Sequence, residues 1–254
     1  MISAVPLLSA SFAFKTTAIL GAGRSTTVDG RVFEDAGERD TTLGSIGSHD
    51  LGYGQLSLPP QRHRRSQRDR LLHGMAETVA RRGYAATPVA EVLKAAGVSR
   101  RTFYEQFADK EDCFLAAYEA FTARCAERVA ASCRAAGEAW EESLADVYGA
   151  LLRTLAAEPA FAHLAVVEVL AAGPRALARR DAALRRLARF IDAMHERADG
   201  VARPPRLVGQ AIVGGMHELV YSQIVRGETE RLPELVDDLL HYTCMLLGAP
   251  RPAA

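Results

Sequence analysis

Residues 83–114 read GYAATPVAEVLKAAGVSRRTFYEQFADKEDCF, and this stretch decides the fold. Its capping residues mark three helix starts. Thr87 is the predicted N-cap of the first helix, and Pro88 fits the next position because an N–H would be unpaired there. Ser99 is the predicted cap of the second helix, and Asp109 that of the third. The pattern therefore predicts two short helices followed closely by a longer one.

Only Gly97 and Val98 separate the first two of these helices. Glycine suits the left-handed conformation at a helix C-terminus, and Val98 is expected to be buried in the angle between the helices. Two short helices joined by such a turn are typical of a helix-turn-helix. In the second helix, Phe103 and Phe107 are four residues apart and are predicted to face the core.

The opposite face of the second helix is polar and basic. It carries Arg100, Arg101, Thr102, Tyr104 and Gln106. Arginine can pair with guanine in the major groove, and hydroxyl and amide groups can reach phosphates. An arginine pair on an exposed helix is usually only a solvated surface, but the turn and Tyr104 favour DNA binding here. Upstream, a basic segment that includes Arg64 and Arg65 is placed to contact the DNA backbone or the minor groove.

The charge of the chain is unevenly distributed. The 254 residues contain 31 basic and 31 acidic residues, so the formal net charge is zero. Residues 61–110 nevertheless carry 11 basic against 5 acidic residues, whereas the parts before and after them are acidic. This pattern indicates a local surface for a polyanion, which the overall neutrality conceals.

The rest of the chain predicts an all-α protein. From Gln61 onward, alanine, leucine, arginine and glutamate dominate, and they favour helices. Helices are predicted over 66–82, 88–95, 99–107, 110–135, 140–157, 159–172, 174–198, 204–226 and 233–247. Residues 1–60 lack a helical or alternating pattern and are predicted to be a disordered extension. A mis-assigned start codon and a small separate subdomain are the alternatives.

The string AGVSRRTFYEQFADKE (residues 96–111) resembles the DNA-binding domain of the tetracycline-repressor (TetR) family of transcription regulators. The resemblance implies a three-helix DNA-binding domain over 61–110 and a helical regulatory and dimerisation domain over 111–250. It also implies roles for single residues. Thr87 and Tyr104 would contact phosphates, Lys110 would contact the DNA backbone, and Arg100, Arg101 and Thr102 would approach the bases or the backbone. Ser99 and Gln106 are the remaining predicted DNA-binding residues of this helix.

The resemblance further implies a homodimeric repressor that a small-molecule effector releases from a palindromic operator. Gly209, Gly214 and Gly215 lie inside a predicted helix, where each costs about 1 kcal/mol relative to alanine. A closely packed helix would offset that cost, and it could belong to a second subunit or to the same chain. Candidates to line an effector pocket are Tyr118, Phe121, Trp140, His163, Glu168, His217 and Tyr221, although core packing or plain surface is the first interpretation of each.

Other functional classes find less support. The 7 histidines and 4 cysteines show no metal-ligand spacing, and motifs for phosphate binding or nucleophilic catalysis are absent, so we expect neither an enzyme nor a cofactor. No apolar run is long enough to span a bilayer. The first basic residue is Lys15, which makes a signal peptide a poor match, so we expect a cytoplasmic protein. The alternative function is a helical interaction module without sequence-specific DNA binding.

Overall fold

The computed structural model describes residues 60–135, 140–196 and 207–248. Side chains of residues 60–66, 134–135 and 141 lie outside the described part, as does the extension predicted over 1–60, apart from the backbone of Pro60. The described α-helices are α1 (Pro60–Arg82), α2 (Val89–Ala96), α3 (Arg100–Gln106), α4 (Lys110–Ala135), α5 (Trp140–Ala157), α6 (Pro159–Val166), α7 (Pro174–His195), α8 (Val208–Val225) and α9 (Val236–Leu247). Short 3₁₀ helices occupy Glu168–Leu170 and Thr229–Leu235.

The prediction of an all-α protein is confirmed, and the differences concern helix ends. Helix α1 begins at Pro60 rather than at residue 66, because proline fits a first helical turn. The helix predicted over 159–172 ends at Val166 and is followed by the first 3₁₀ helix. The last predicted helix is divided in the same way, since Pro233 lies inside the second 3₁₀ helix and α9 begins only after it.

Helices α1, α2 and α3 form the helix-turn-helix unit. Leu71, Met75 and Val79 in α1 are fully buried. Gly74 lies on the α1 surface that meets α2, where an added Cβ would be 3.0 Å from both the Val92 carbonyl oxygen and the Ala96 nitrogen. The two helices therefore approach as closely as their backbones allow, and glycine at position 74 makes this possible.

One hydrophobic core extends through the described helices, from Leu71 in α1 to Leu247 in α9. Helix α4 contributes the buried Phe114 and Phe121 to it. The hydroxyl groups of Tyr148 in α5 and Thr243 in α9 lie 2.7 Å apart in the interior. This bond gives both buried hydroxyl groups a partner, as buried polar groups require.

Two of the three glycines in α8 pack against other helices of the same chain. An added Cβ at Gly209 would overlap the carboxylate of Asp192 in α7, and one at Gly215 would lie 2.7 Å from the Tyr242 hydroxyl of α9. Gly214 has no atom near its missing Cβ among the described residues. Packing within the chain therefore accounts for the first two glycines but not for the third.

Candidate nucleic-acid interface

The turn between α2 and α3 has the predicted geometry. Gly97 adopts the left-handed conformation, with φ 61° and ψ 40°, and ends α2. Ser99 caps α3, because its Oγ accepts a hydrogen bond of 3.1 Å from the Thr102 N–H. Asp109 caps α4 in the same way through the Asp112 N–H, at 2.8 Å. The three local predictions at Gly97, Ser99 and Asp109 are confirmed.

Helix α3 has one buried face and one exposed face. Phe103 and Phe107 are buried, with ring centroids 5.7 Å apart. Tyr104 is 52% exposed, and its ring lies edge-on to that of Phe103 at 5.2 Å. The remaining predicted DNA-binding residues of α3 follow the same division: Arg100 and Arg101 are exposed, whereas Thr102 and Gln106 are half-buried. The structure thus presents two arginines and a tyrosine together on the solvent side of α3.

Arg101 already has a partner on its own helix. Its Nε lies 2.9 Å from Oε1 of Glu105, one turn further along α3, and the arginine side chain is 89% exposed. Exposed pairs of this kind contribute about 0.3–0.5 kcal/mol to helix stability. The guanidinium can therefore exchange Glu105 for a base or a phosphate at little cost. This pair was not predicted from the sequence, although its i, i+4 spacing was a readable signal.

Two arginines of the upstream basic segment hold the helix-turn-helix unit together. The guanidinium carbon of Arg68 lies 4.5 Å from the centre of the Phe107 ring, and Nη1 of Arg70 donates to the Gly97 carbonyl oxygen at 3.4 Å. Arg64 and Arg65 belong to α1, but their side chains lie outside the described residues. Their predicted contacts with DNA stay predictions.

The predicted role of Thr87 as the cap of α2 is wrong. Pro88 occupies the N-cap position in an extended conformation and makes no side-chain cap bond. The Thr87 hydroxyl instead donates to the Gly83 carbonyl oxygen at 2.7 Å, and the residue is 1% exposed. A phosphate contact by Thr87 stays a prediction, and the buried position of its side chain counts against it.

Lys110 has a partner within the chain that was not predicted from the sequence. Its Nζ donates to the Tyr84 carbonyl oxygen at 2.9 Å and lies 4.1 Å from the centre of the Tyr84 ring. These contacts explain a cation at a helix N-terminus, where the helix dipole opposes it. Burial, and then the carboxylates of Glu111 and Asp109, raise the pKa of Tyr84, so the phenol is uncharged near neutral pH.

A carboxylate from the C-terminal half holds the other side of the same loop. Oε2 of Glu168, in the first 3₁₀ helix, accepts a hydrogen bond of 2.6 Å from the Tyr84 N–H, 84 residues away in sequence. Oε1 of Glu168 lies 4.0 Å from Nδ1 of His163. The loop between α1 and α2 is therefore held by Lys110 at the Tyr84 carbonyl and by Glu168 at its N–H. No sequence pattern could have predicted this contact, because it joins two distant segments.

The candidate pocket residues are spread over several environments. Tyr118 and Phe121 are buried, Phe121 stacking on Phe161 with centroids 5.6 Å apart. Trp140, His163, His217 and Tyr221 are half-buried. His163 lines an open cleft of about 420 Å³ between α1, α6 and the segment after α8. Of these candidates, His163 alone lines this cleft.

Metal-binding clusters and membrane-spanning helices are both missing from the described residues. No group of three or more metal-ligating side chains occurs among them. Among the helices that the structure describes, no single one is long and apolar enough to cross a membrane, although the pair Glu142–Ala157 and Pro159–Leu170, bent by 107°, meets the requirements of length and composition when taken together.

The comparisons with known proteins identify the helix-turn-helix unit. The family model of bacterial regulatory proteins of the tetR family matches residues 71–117, from α1 to the first turns of α4. No curated protein sequence matches the chain.

Solved structures resemble the whole described fold. The fatty acid degradation regulator FadR from Bacillus halodurans has a TM-score of 0.63 and 22% identity, with 73% of this chain and 96% of that chain covered. The regulator FadR from Bacillus subtilis, in complex with stearoyl-CoA, has a TM-score of 0.60 and 20% identity, with 69% and 96% covered. The TetR family regulator PfmR from Thermus thermophilus has a TM-score of 0.58 and 20% identity, with 71% of this chain and 98% of that chain covered. At these identities the likeness shows the fold.

Proposed function

Through residues 71–117 the chain belongs to the tetR family of bacterial regulatory proteins, and from this premise we propose that it is a homodimeric repressor. In this proposal it binds a palindromic operator through α3 and is released when a small molecule binds the C-terminal helices. DNA-binding transcription regulation is the function that the family and the fold support. The dimer, the operator and the release by an effector are the finer parts of the proposal.

The exposed face of α3 is the observation that carries the proposal. Arg100, Arg101 and Tyr104 are exposed together, while Phe103 and Phe107 on the opposite face are buried. The helix is therefore fixed in orientation and presents cationic and aromatic groups to solvent. Such groups pair with guanine edges and with phosphates in the major groove.

The surface of α8 and α9 supports the dimer. Leu219 and Val225 on α8 and Met245 on α9 are exposed large apolar residues. Gly214, also exposed on α8, leaves open space at its missing Cβ. A second copy of these two helices would bury the apolar side chains and could approach α8 closely at the glycine.

The effector is supported by analogy and by one contact. The similar FadR from Bacillus subtilis was solved with stearoyl-CoA. In the present chain, Glu168 joins the C-terminal half to the loop that precedes α2. A ligand that shifts the first 3₁₀ helix would therefore act on the helix-turn-helix unit. It can change DNA affinity only by as much as its own affinity differs between the two conformations.

Selection of DNA from a random library with the full chain, followed by titration of the selected duplex, tests the function. A dimer should enrich a palindrome whose half-sites are about 34–36 Å apart or a multiple of that distance. Affinity should fall steeply as salt rises, because bound phosphates release counterions. Enrichment of no sequence, together with a stable dimer, would favour the alternative of a helical interaction module.

The dimer has its own test. Leu219→Glu and Met245→Glu place carboxylates on the proposed interface, where burying them is costly. Sedimentation equilibrium should give a monomer for the double variant and a dimer for the parent chain. Glu218→Gln, a change at an exposed neighbouring position of α8, serves as the control and should leave the dimer intact. A dimeric double variant would place the interface elsewhere.

A further inference from the structure

Helix α7 carries a row of arginines, and the first two are paired with carboxylates of α4. Arg175 Nη1 lies 3.4 Å from Oε2 of Glu111, and Arg179 pairs with Glu119. The charges of these two arginines are therefore compensated within the chain.

Arg180, the next residue, is in a different position. Only 22% of its side chain is exposed, and its Nη1 lies 3.4 Å from Oδ1 of the exposed Asp181. Its Nη2 lies 3.5 Å from Nδ1 of His217 on α8. Both contacts are long compared with charge-assisted bonds from N–H to a carboxylate, which normally measure about 2.7–2.9 Å.

The Nε of Arg180 is buried and has no hydrogen-bond partner among the described residues. A guanidinium has five N–H donors, and the carboxylate contact that this one makes among the described residues is the 3.4 Å approach of Asp181, whose side chain is 52% exposed and therefore shared with water. Burying a cation with so little compensation costs free energy. An anion placed against Nε would recover that cost, whereas a neutral ligand would not.

Two polar neighbours of Arg180, His217 and Tyr118, are uncharged near neutral pH and can act as donors. Burial, and then the charge of Arg180, lower the pKa of His217 to about 4, so the imidazole is neutral near pH 7. Burial raises the pKa of Tyr118 on α4 to about 12, although Arg180 and Arg186 act in the opposite direction. When Nδ1 of His217 accepts from Arg180, its Nε2 carries the proton and can donate, as can the Tyr118 hydroxyl.

Apolar core residues lie about one helical turn from each of the three polar side chains. They are Leu184 on α7, Val213 on α8 and Phe121 on α4, and all three belong to the hydrophobic core or pack against it. Arg180 is thus a cation at the boundary of an apolar interior. A ligand that satisfies both surroundings has a negative group at one end and an apolar body.

We propose that Arg180, with His217 and Tyr118, binds the carboxylate of a small organic acid whose apolar body packs among α4, α7 and α8. This inference rests on the proposed function in one respect, namely that such an acid is the class of effector that releases DNA. The binding site itself follows from the buried guanidinium and holds whether or not the chain regulates transcription.

Calorimetry on the full chain without DNA tests the site. The probes are octanoate, octanol and octylamine, which share the apolar body and differ in charge. Octanoate should bind at least about tenfold more tightly than octanol, because only the carboxylate gains a charge-assisted hydrogen bond from Arg180, and octylamine should bind most weakly. Equal affinity for octanoate and octanol would overturn the proposal.

Two variants assign the preference to Arg180. Arg180→Met keeps the apolar stem and should abolish the preference for octanoate over octanol, while Arg180→Lys keeps the charge and should retain part of it. Arg179→Met removes the neighbouring surface arginine and should leave the preference unchanged. Preference retained in Arg180→Met, or lost in Arg179→Met, would overturn the assignment. Circular dichroism shows whether Arg180→Met folds. If it does not, Arg180→Lys decides: a loss of half or more of the preference for octanoate over octanol supports the assignment, and an unchanged preference overturns it.

A separate titration links the site to regulation. Octanoate should weaken the binding of the selected duplex by the parent chain and not by Arg180→Met. If octanoate binds but does not weaken DNA binding, the carboxylate site is supported and the release of DNA by this class of effector is contradicted. If the chain binds the selected duplex but does not prefer octanoate over octanol, the proposed DNA-binding function is supported and the carboxylate site is contradicted.

Discussion

The helix-turn-helix unit and the C-terminal helices are stabilised by contacts of different range. In the first region, three side chains that shape the turns bond to groups three or four residues away: Ser99 accepts from the Thr102 N–H, Asp109 accepts from the Asp112 N–H, and Thr87 donates to the Gly83 carbonyl oxygen. The longest side-chain bonds described within this region, from Arg70 and Lys110, span 27 and 26 residues. In the second region, the Tyr148–Thr243 bond spans 95 residues, and the Glu168–Tyr84 bond joins the two regions across 84. Short-range contacts define the shape of the DNA-binding surface, and long-range contacts decide how that surface is held.

The strongest test of this difference removes the core of the short-range region. Phe103→Ala should lower the free energy of unfolding by about 3–5 kcal/mol, because the fully buried ring fixes α3 against the core. Denaturant unfolding measures the loss, and binding of the selected duplex should disappear with it. Tyr104→Ala, on the exposed face of α3, should cost about 1 kcal/mol or less in stability. Similar losses in both variants would contradict the division of α3 into two faces.

The exposed face gives the next prediction. Arg101→Ala should weaken DNA binding by about 1–3 kcal/mol and relax the preference at one base pair if the guanidinium contacts a base. Repeated library selection with the variant measures both effects. Arg128→Ala, which removes an exposed arginine of α4, is the matched control and should bind like the parent chain. A uniform loss across all sequences would assign Arg101 to a phosphate instead.

The long-range contact between the regions is broken by Glu168→Ala. The Tyr84 N–H then lacks its acceptor, and we expect a loss of about 1–3 kcal/mol in stability. Hydrogen exchange at the Tyr84 amide should accelerate more than at amides within α3. Glu168→Gln keeps an acceptor oxygen and should restore most of the protection. Unchanged exchange at Tyr84 in Glu168→Ala would show that the carboxylate does not hold this loop in solution.

The smallest effect is expected at a helix cap. Ser99→Ala removes the side-chain acceptor for the Thr102 N–H and should cost about 1 kcal/mol, whereas Ser99→Asp should restore it. Thermal unfolding of the three proteins provides the comparison. A loss in Ser99→Asp as large as that in Ser99→Ala would mean that the hydroxyl has a role other than capping.

The range of the contacts also explains which features were predictable. The caps at Ser99 and Asp109, the turn at Gly97 and the buried faces of Phe103 and Phe107 are set by neighbours in sequence, so a single sequence sufficed to predict them. The hydroxyl of Thr87 was assigned to the wrong partner because a threonine before proline fits two local arrangements. Lys110 and Glu168 contact Tyr84 only in the folded chain, and the hydrophobic periodicity of the sequence does not indicate contacts between segments so far apart.

The close approach at Gly74 has a consequence for how a signal can travel. With the missing Cβ only 3.0 Å from backbone atoms of α2, helices α1 and α2 have no room to move closer, and tightly packed interiors resist gradual deformation. In the proposed release of DNA we therefore expect α1 and α2 to move as one body, with α3 following through the short turn at Gly97. An effector in the C-terminal helices would then act on operator binding by changing the angle and separation between the helix-turn-helix units of the two subunits. Helix α3 would keep its own shape with and without the effector.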